Sequence, residues 1–236
     1  MNIYETGSMA EKLSTNSYPG RGIVLGVTPD GEKSVAAYFI MGRSVNSRNR
    51  VFLEEPDGIR TEAHDPSLLA DPSLIIYHPV REIGRSLIVT NGDQTDTVRD
   101  FLEQGLTWEA ALATREFEPD GPNWTPRISG LVCPDGSYKL SILKSADAEG
   151  SACVRNFFNY PPIAGLGHFL HTYVCDGSPI PTFQGEPERV AIPANIDDFT
   201  CELWKNLNGD NKISLFVRYT DIKTRACEQR ILNKHI

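Results

Sequence analysis

Much that would organise or classify a chain is scarce in these 236 residues. There is no C-x-x-C pair, and the five cysteines, Cys133, Cys153, Cys175, Cys201 and Cys227, are an odd and scattered set. That argues against a disulfide framework and fits a reducing, cytoplasmic setting. The opening stretch MNIYETGSMAEKLSTNSYPG has no apolar core of a signal peptide. No apolar run approaches the ~20 residues that a membrane-spanning helix needs. Positive charge is in deficit, with 23 Lys and Arg against 31 Asp and Glu, a formal net charge of -8. A field of that sign does not draw nucleic acid or anionic membrane, so neither is expected as a partner. P-loop, G-x-S-x-G, H-E-x-x-H and dinucleotide fingerprints are missing, which leaves no motif for a metal or an organic cofactor.

What is present reads as a globular core of hairpins. With 40% hydrophobic residues, a chain of this length buries about 70% of its unfolded surface. Residues 1–17 are polar and read as a flexible arm, and 18–236 as a single domain. RGIVLGV and SVAAYFIMG, joined by TPDGEK, read as a hairpin, because Val, Ile and aromatic runs flank turn chemistry. VFLEE and IRTEAH read as a short pair. SLIIYHPV and SLIVTNG, joined by REIGR, read as a second strong hairpin. RISGLVC with SYKLSILK, HFLHTYVC, KISLFVRYT and TRACEQRIL supply further strands. Three helices are expected: TDTVRDFLEQG with Thr95 as N-cap, TWEAALATREF from Thr107, and DDFTCELWKNLNG with Phe199, Leu203 and Leu207 at helical spacing. Strands that pair by hairpins, with helices grouped rather than alternating, indicate α+β with largely antiparallel sheets.

Five stretches carry side chains suited to chemistry. GRSVNSRNR, from Gly42 to Arg50, sets Arg43, Arg48 and Arg50 among Asn46, Ser47 and other polar groups directly after an apolar strand. Guanidinium forks suit phosphate or carboxylate oxygens, although a solvated loop has the same composition. IVTNGDQTDTV holds Asn91, Thr95 and Asp96 at a helix start, where backbone N–H groups favour anions; a plain turn with plain caps accounts for it equally well. FEPDGPNWTPRISG places Glu118 and Asp120 in a proline-rich bend before Arg127, where a held carboxylate can serve as general base or face water. Tyr77 and His78 close LIIYH, and the phenol can donate to an oxyanion or sit as an amphipathic core residue. In GLGHFLHTY, His168 and His171 point to opposite faces if the segment is a strand, so no metal pair is read there.

Taken in order, YPGRGIVLG, GRSVNSRNR, DPSLIIY, VTNGDQTDT, FEPDGPNWTPRI and HTY followed by PTFQGEP resemble the archaeal-type IMP cyclohydrolases from about Tyr18 to Pro187. The resemblance implies a four-layer α-β-β-α sandwich of the N-terminal-nucleophile-hydrolase type, without a processed N-terminal nucleophile. It also implies the last step of purine synthesis. The carboxamide nitrogen of 5-formamidoimidazole-4-carboxamide ribonucleotide attacks the neighbouring formamido carbon, water leaves, and IMP forms. A purine ribonucleotide is then the ligand, no cofactor is called for, and the chain is a homo-oligomer. By the same resemblance Arg48 polarises the formyl oxygen, Tyr77 donates or relays a proton, and Glu118 orients or deprotonates the carboxamide. Arg21, Arg43, Asn46, Ser47, Asn91, Thr95, Asp96 and Arg127 are carried over as substrate-binding.

Two rivals remain on the sequence. One is an amidohydrolase acting on another nucleotide or amide, with Cys133, Cys153 or Cys175 as the thiol. These read better as small buried apolar residues. The other is a nucleotide sensor that keeps the pocket without the chemistry.

Overall fold

The computed structural model describes residue 2, residues 4–68 and residues 75–236. In chain order, helix α1 (Met9–Thr15) is followed by β1 (Arg21–Val27) and β2 (Lys33–Met41), the short helix α2 (Val45–Arg48), β3 (Val51–Glu55) and β4 (Gly58–Glu62). Next come β5 (Val80–Ile83), β6 (Ser86–Thr90), α3 (Gln94–Glu103), α4 (Trp108–Ala113), β7 (Arg127–Val132), β8 (Tyr138–Ser145) and β9 (Cys153–Tyr160). The chain closes with β10 (Leu166–His171), β11 (Glu188–Ala191), α5 (Ile196–Asn206), β12 (Lys212–Asp221) and β13 (Cys227–Asn233).

These strands form two sheets among the described residues. One runs β11-β10-β1-β2-β12-β13 and the other β3-β4-β5-β6-β7-β8-β9. Neighbouring strands within each sheet pair antiparallel.

Period-two alternation explains why the strand sequences are apolar throughout. In β2, Ala36, Tyr38 and Ile40 enter a core shared by the two sheets. Val35, Ala37, Phe39 and Met41 enter another, shared with Met9 and Leu13 of α1 and Phe199 and Leu203 of α5. On the second sheet, Leu87 and Val89 of β6 face the shared core. Ile88 faces Val98 of α3 and Trp108 and Leu112 of α4. Both faces of the central strands are therefore dry, which antiparallel sheets allow only when each face is covered. Cutting a fully buried side chain such as Phe39 back to Ala costs about 3–5 kcal/mol.

Several expectations need correction. The supposed arm carries α1, capped by Ser8 and anchored by buried Met9 and Leu13. SLIIYHPV is not a strand up to Val80: Ile75 through Pro79 form turn and bend, and β5 starts only at Val80. Ser73 and Leu74 of that stretch lie outside the described residues. Thr95 does not cap α3; the N-cap is Asp93, which makes no side-chain cap bond. Thr107 does cap α4 through Ala110 N, but that helix ends at Ala113. β9 and β11 were not foreseen.

Candidate active site

The strand order gathers one set of ends. Arg21 opens β1 opposite Ile40 near the end of β2, and Gly22 lies opposite His171 at the end of β10. Thr90 at the end of β6 lies opposite Ser129 near the start of β7, and its N–H donates to Pro79 O at 2.7 Å. The loops before β1, β5 and β7 therefore meet at one end of the paired sheets. They bring Arg21, Tyr77 and Glu118 together.

Glu118 is 3% exposed. Its backbone N–H donates to Thr125 O at 2.9 Å, and one carboxylate oxygen stands 3.9 Å from Arg21 Nη2. Burial pushes the Glu118 carboxyl above its ordinary range, with the Arg21 and Arg127 charges opposing. For Arg21, burial works against the charge, but Glu118 and the Tyr173, Tyr18 and Tyr77 phenols outweigh it, and its pKa rises. Gly20 makes the approach possible: it has φ +79, and a Cβ there would meet Thr172 Oγ1 at 2.2 Å.

Tyr77 is held by its main chain. Thr61 N and Oγ1 donate to Tyr77 O at 2.9 and 3.1 Å, and Tyr77 N donates to Thr61 Oγ1 at 2.9 Å. That fixes the phenol, whose hydroxyl lies 2.9 Å from that of Tyr38. Burial, together with the Tyr77 neighbour, holds the Tyr38 proton tightly. Tyr77 also lines a cavity of about 480 Å³ with Glu55, Arg60, Ile76, His78, Asp93 and Asp96. Such a volume suits a small-molecule ligand, and its carboxylates are acceptors for hydroxyl groups.

The three arginines of GRSVNSRNR have three different fates. Ser44 and Ser47 form a capping box that winds Val45–Arg48 into α2. Arg48 is thereby turned to Gly42 O, at 3.0 Å, and Asn211 Oδ1, at 2.9 Å. No contact of Arg48 with Glu118, Arg21 or Tyr77 is seen among the described residues. Arg43 lies at the exposed rim, stacked 5.1 Å over Tyr18 and paired with Asp176. Arg50 alone runs inward, 1% exposed, and the charges that act on it are those of Arg21, Tyr77, Tyr38 and Glu118.

The other expected ligands divide as well. Asn91 is a clip: Nδ2 donates to Pro126 O at 2.8 Å, and Oδ1 accepts from Ile128 N at 2.8 Å. Thr95 Oγ1 is spent on Thr90 Oγ1 at 2.6 Å. Ser47 is spent on the capping box, whereas Asn46 Oδ1 is buried without a partner among the described residues. Asp96 faces the cavity beside His78, 3.6 Å away, and Arg81, 3.4 Å away; burial raises its pKa, with His78 opposing. Arg127 Nη1 donates to Gln94 Oε1 at 2.7 Å and meets Asp93 at 2.7 Å. A Cβ on Gly92 would sit 2.3 Å from that nitrogen. Sequence reasoning left out Thr61, Tyr38 and Arg50 as site residues; of these only Arg50 stood in a stretch already singled out.

The thiols stand apart from this cluster. Cys133 and Cys153 are half-buried and Cys175 is exposed, not buried as expected. Burial pushes the Cys153 thiol up, away from thiolate.

Comparison with known proteins agrees with the resemblance. Residues 18–225 match the model of the family described as IMP cyclohydrolase-like protein. An IMP cyclohydrolase of Methanopyrus kandleri is 32% identical over 147 residues, covering 56% of this chain and 72% of that protein. One from Methanococcus aeolicus is 28% identical over 162 residues, covering 67% and 75%. One from Halobacterium salinarum is 32% identical over 135 residues, and the match spans 64% of its length. With the family model matched over most of its length, the chain belongs to the IMP cyclohydrolase-like protein family.

Proposed function

We infer that the protein is an enzyme, an IMP cyclohydrolase that closes the six-membered ring of 5-formamidoimidazole-4-carboxamide ribonucleotide with loss of water. The observation that carries this reading is the meeting of Glu118, Arg21 and Tyr77 at one buried point in a chain of this family. Nucleophile and electrophile reside in one molecule, so no bimolecular encounter has to be arranged. What the reaction needs is orientation, a proton route and donors for the developing oxygen anion.

In this reading Glu118 takes a proton from the carboxamide nitrogen as that nitrogen bonds to the formamido carbon. Burial suits it, because a raised pKa brings a carboxyl closer to the working pH of a proton shuttle. Arg21 and the Tyr77 phenol face the same point as donors. Asp96 and the cavity beside Tyr77 receive the ribose hydroxyls, and Asn91, Thr95 and Arg127 hold the loop walls. Arg43, Asn46 and Ser47 form the rim on the side of the phosphate. Arg48 supports that rim through Gly42 and Asn211. We also propose the four-layer α-β-β-α sandwich of the N-terminal-nucleophile hydrolases as the fold. Three separate cores, one between the sheets and one under each helix pair, support it. A single domain, a cytoplasmic setting and a homo-oligomer complete the proposal; among the described residues no helix is long and apolar enough to cross a membrane.

The test is direct. Purified protein is mixed with the formamido ribonucleotide, and IMP is followed by chromatography against a protein-free control. IMP formation well above the control is expected. A folded protein that gives no acceleration would sink the reading.

A further inference from the structure

Arg50 lies beyond the residues that the resemblance assigns, and its surroundings ask for an explanation. It is buried, and its one side-chain hydrogen bond among the described residues runs from Nε to Ser47 O at 2.9 Å. Among the described residues its buried Nη2 has no partner, and neither has Nε of Arg21. The Arg21 contact with Glu118, at 3.9 Å, is an ion pair too long for a hydrogen bond. Only Arg21 pairs with the carboxylate; the Arg50 charge acts on Arg21 and Glu118 from nearby, and each guanidinium keeps a donor without a partner among the described residues. Burial, and then the Arg21 charge, lower the pKa of Arg50. Surplus buried charge destabilises a fold, and replacing it by an apolar group is often stabilising. Such a cost persists where function uses it.

The chemistry of the cluster selects the ligand atom. A phosphate dianion matches two guanidinium groups but would stand against the Glu118 carboxylate. An oxygen that gains a single negative charge as Glu118 loses its own fits without that conflict. We propose that Arg50 is a catalytic residue whose Nη2–H donates to the formyl oxygen as it becomes an alkoxide, with Arg21 as its partner donor. This rests on the cyclohydrolase reading. The carboxamide nitrogen forms its bond to the formyl carbon, and the carbonyl π pair moves onto oxygen. Glu118 takes one proton from that nitrogen. The cluster keeps the same net charge, since the alkoxide replaces the carboxylate charge. Glu118 then returns the proton to the oxygen. The former formamido nitrogen gives up its proton as the C–O bond breaks, so the oxygen leaves as water and a C=N bond remains.

The experiment compares the wild-type chain with Arg50→Met and Arg50→Lys, measuring kcat and KM for IMP formation together with the thermal midpoint of the ligand-free protein. Losing one such donor costs about a hundredfold or more in kcat. The expected result for Arg50→Met is that loss in kcat, little change in KM, and a midpoint equal to or above wild type. Arg50→Lys, which keeps charge but not the fork, should lose kcat with its midpoint retained, which covers the case in which the Met variant fails to fold. Wild-type kcat in either variant, or a loss of kcat that only tracks a fallen midpoint in both, would overturn the assignment while leaving the cyclohydrolase reading intact. No IMP from the wild-type chain would overturn both.

Discussion

Two charged clusters, one buried and one partly exposed, occupy opposite faces of the same sheet end. On the face toward the second sheet, Arg21 stands 3.9 Å from Glu118 and the Arg50 charge acts on both, with a donor of each arginine unpaired among the described residues. On the outer face, Lys12 and His171 both meet Glu188. His171 Nε2 lies 3.1 Å from its carboxylate and Nδ1 lies 2.8 Å from Tyr173 O. The two glutamates shift in opposite directions. The His171 bond and then Lys12, against the cost of burial, hold Glu188 down at about 2, while burial pushes Glu118 up. A closed network is a structural device, whereas an open one holds bonding capacity for something else.

The largest break in this comparison is Glu118→Gln. It keeps the shape and removes the proton acceptor, and general-base loss costs about 10²–10⁴-fold. Its measure is single-turnover IMP formation. The pH profile sharpens the point. Since Glu118 must be ionised to act, kcat/KM should rise with pH through its raised value, above the ordinary ~4.3 of a glutamate, and that limb should vanish in the variant. For stability the sign is opposite: the raised pKa favours the fold below the ordinary range, and that support is lost as pH rises through the raised value.

Tyr77→Phe comes next. It removes one donor and the 2.9 Å bond to Tyr38, for about a tenfold to hundredfold loss in kcat at unchanged fold. Thr61→Val should lower kcat less, through a shifted Tyr77 main chain, and a Thr61→Ser variant should recover it.

The closed cluster, and His168 on the opposite face of the same strand, should respond in stability instead. His168 Nδ1 lies 2.7 Å from the Tyr138 hydroxyl, and burial, with Arg189 adding, lowers its pKa to about 4. The folded state therefore prefers the neutral ring, and its contribution is full above ~6.5 and lost as pH falls towards 4. In His168→Phe, denaturant midpoints should fall less steeply across that window. Arg43→Ala, at the exposed rim, should change stability by no more than about 0.5 kcal/mol.

The fold was legible where pattern and packing agree. β1, β2 and β12 are apolar on both faces because both are covered, and α5 shows its stripe at Phe199, Leu203 and Leu207. β9 escaped notice because its run CVRNFFNY is mostly half-buried and carries no clean alternation. Within GRSVNSRNR, spacing alone could not rank the arginines. The capping box of Ser44 and Ser47 decides it, turning Arg48 to Gly42 and leaving Arg50 to the extended chain that points inward. The apolar run around Tyr77 reads as a strand, yet the chain there forms turn and bend. The backbone partner of Tyr77 is instead the side chain and main chain of Thr61, a contact between distant segments that local sequence does not announce.

One paired measurement tests the account most directly: kcat for IMP formation and the thermal midpoint, taken on Arg50→Met and Glu188→Gln in the same assays. The account predicts that Arg50→Met loses turnover at an undiminished midpoint, and that Glu188→Gln loses midpoint at undiminished turnover. Unfolding caused by the first and lost turnover in the second would contradict it.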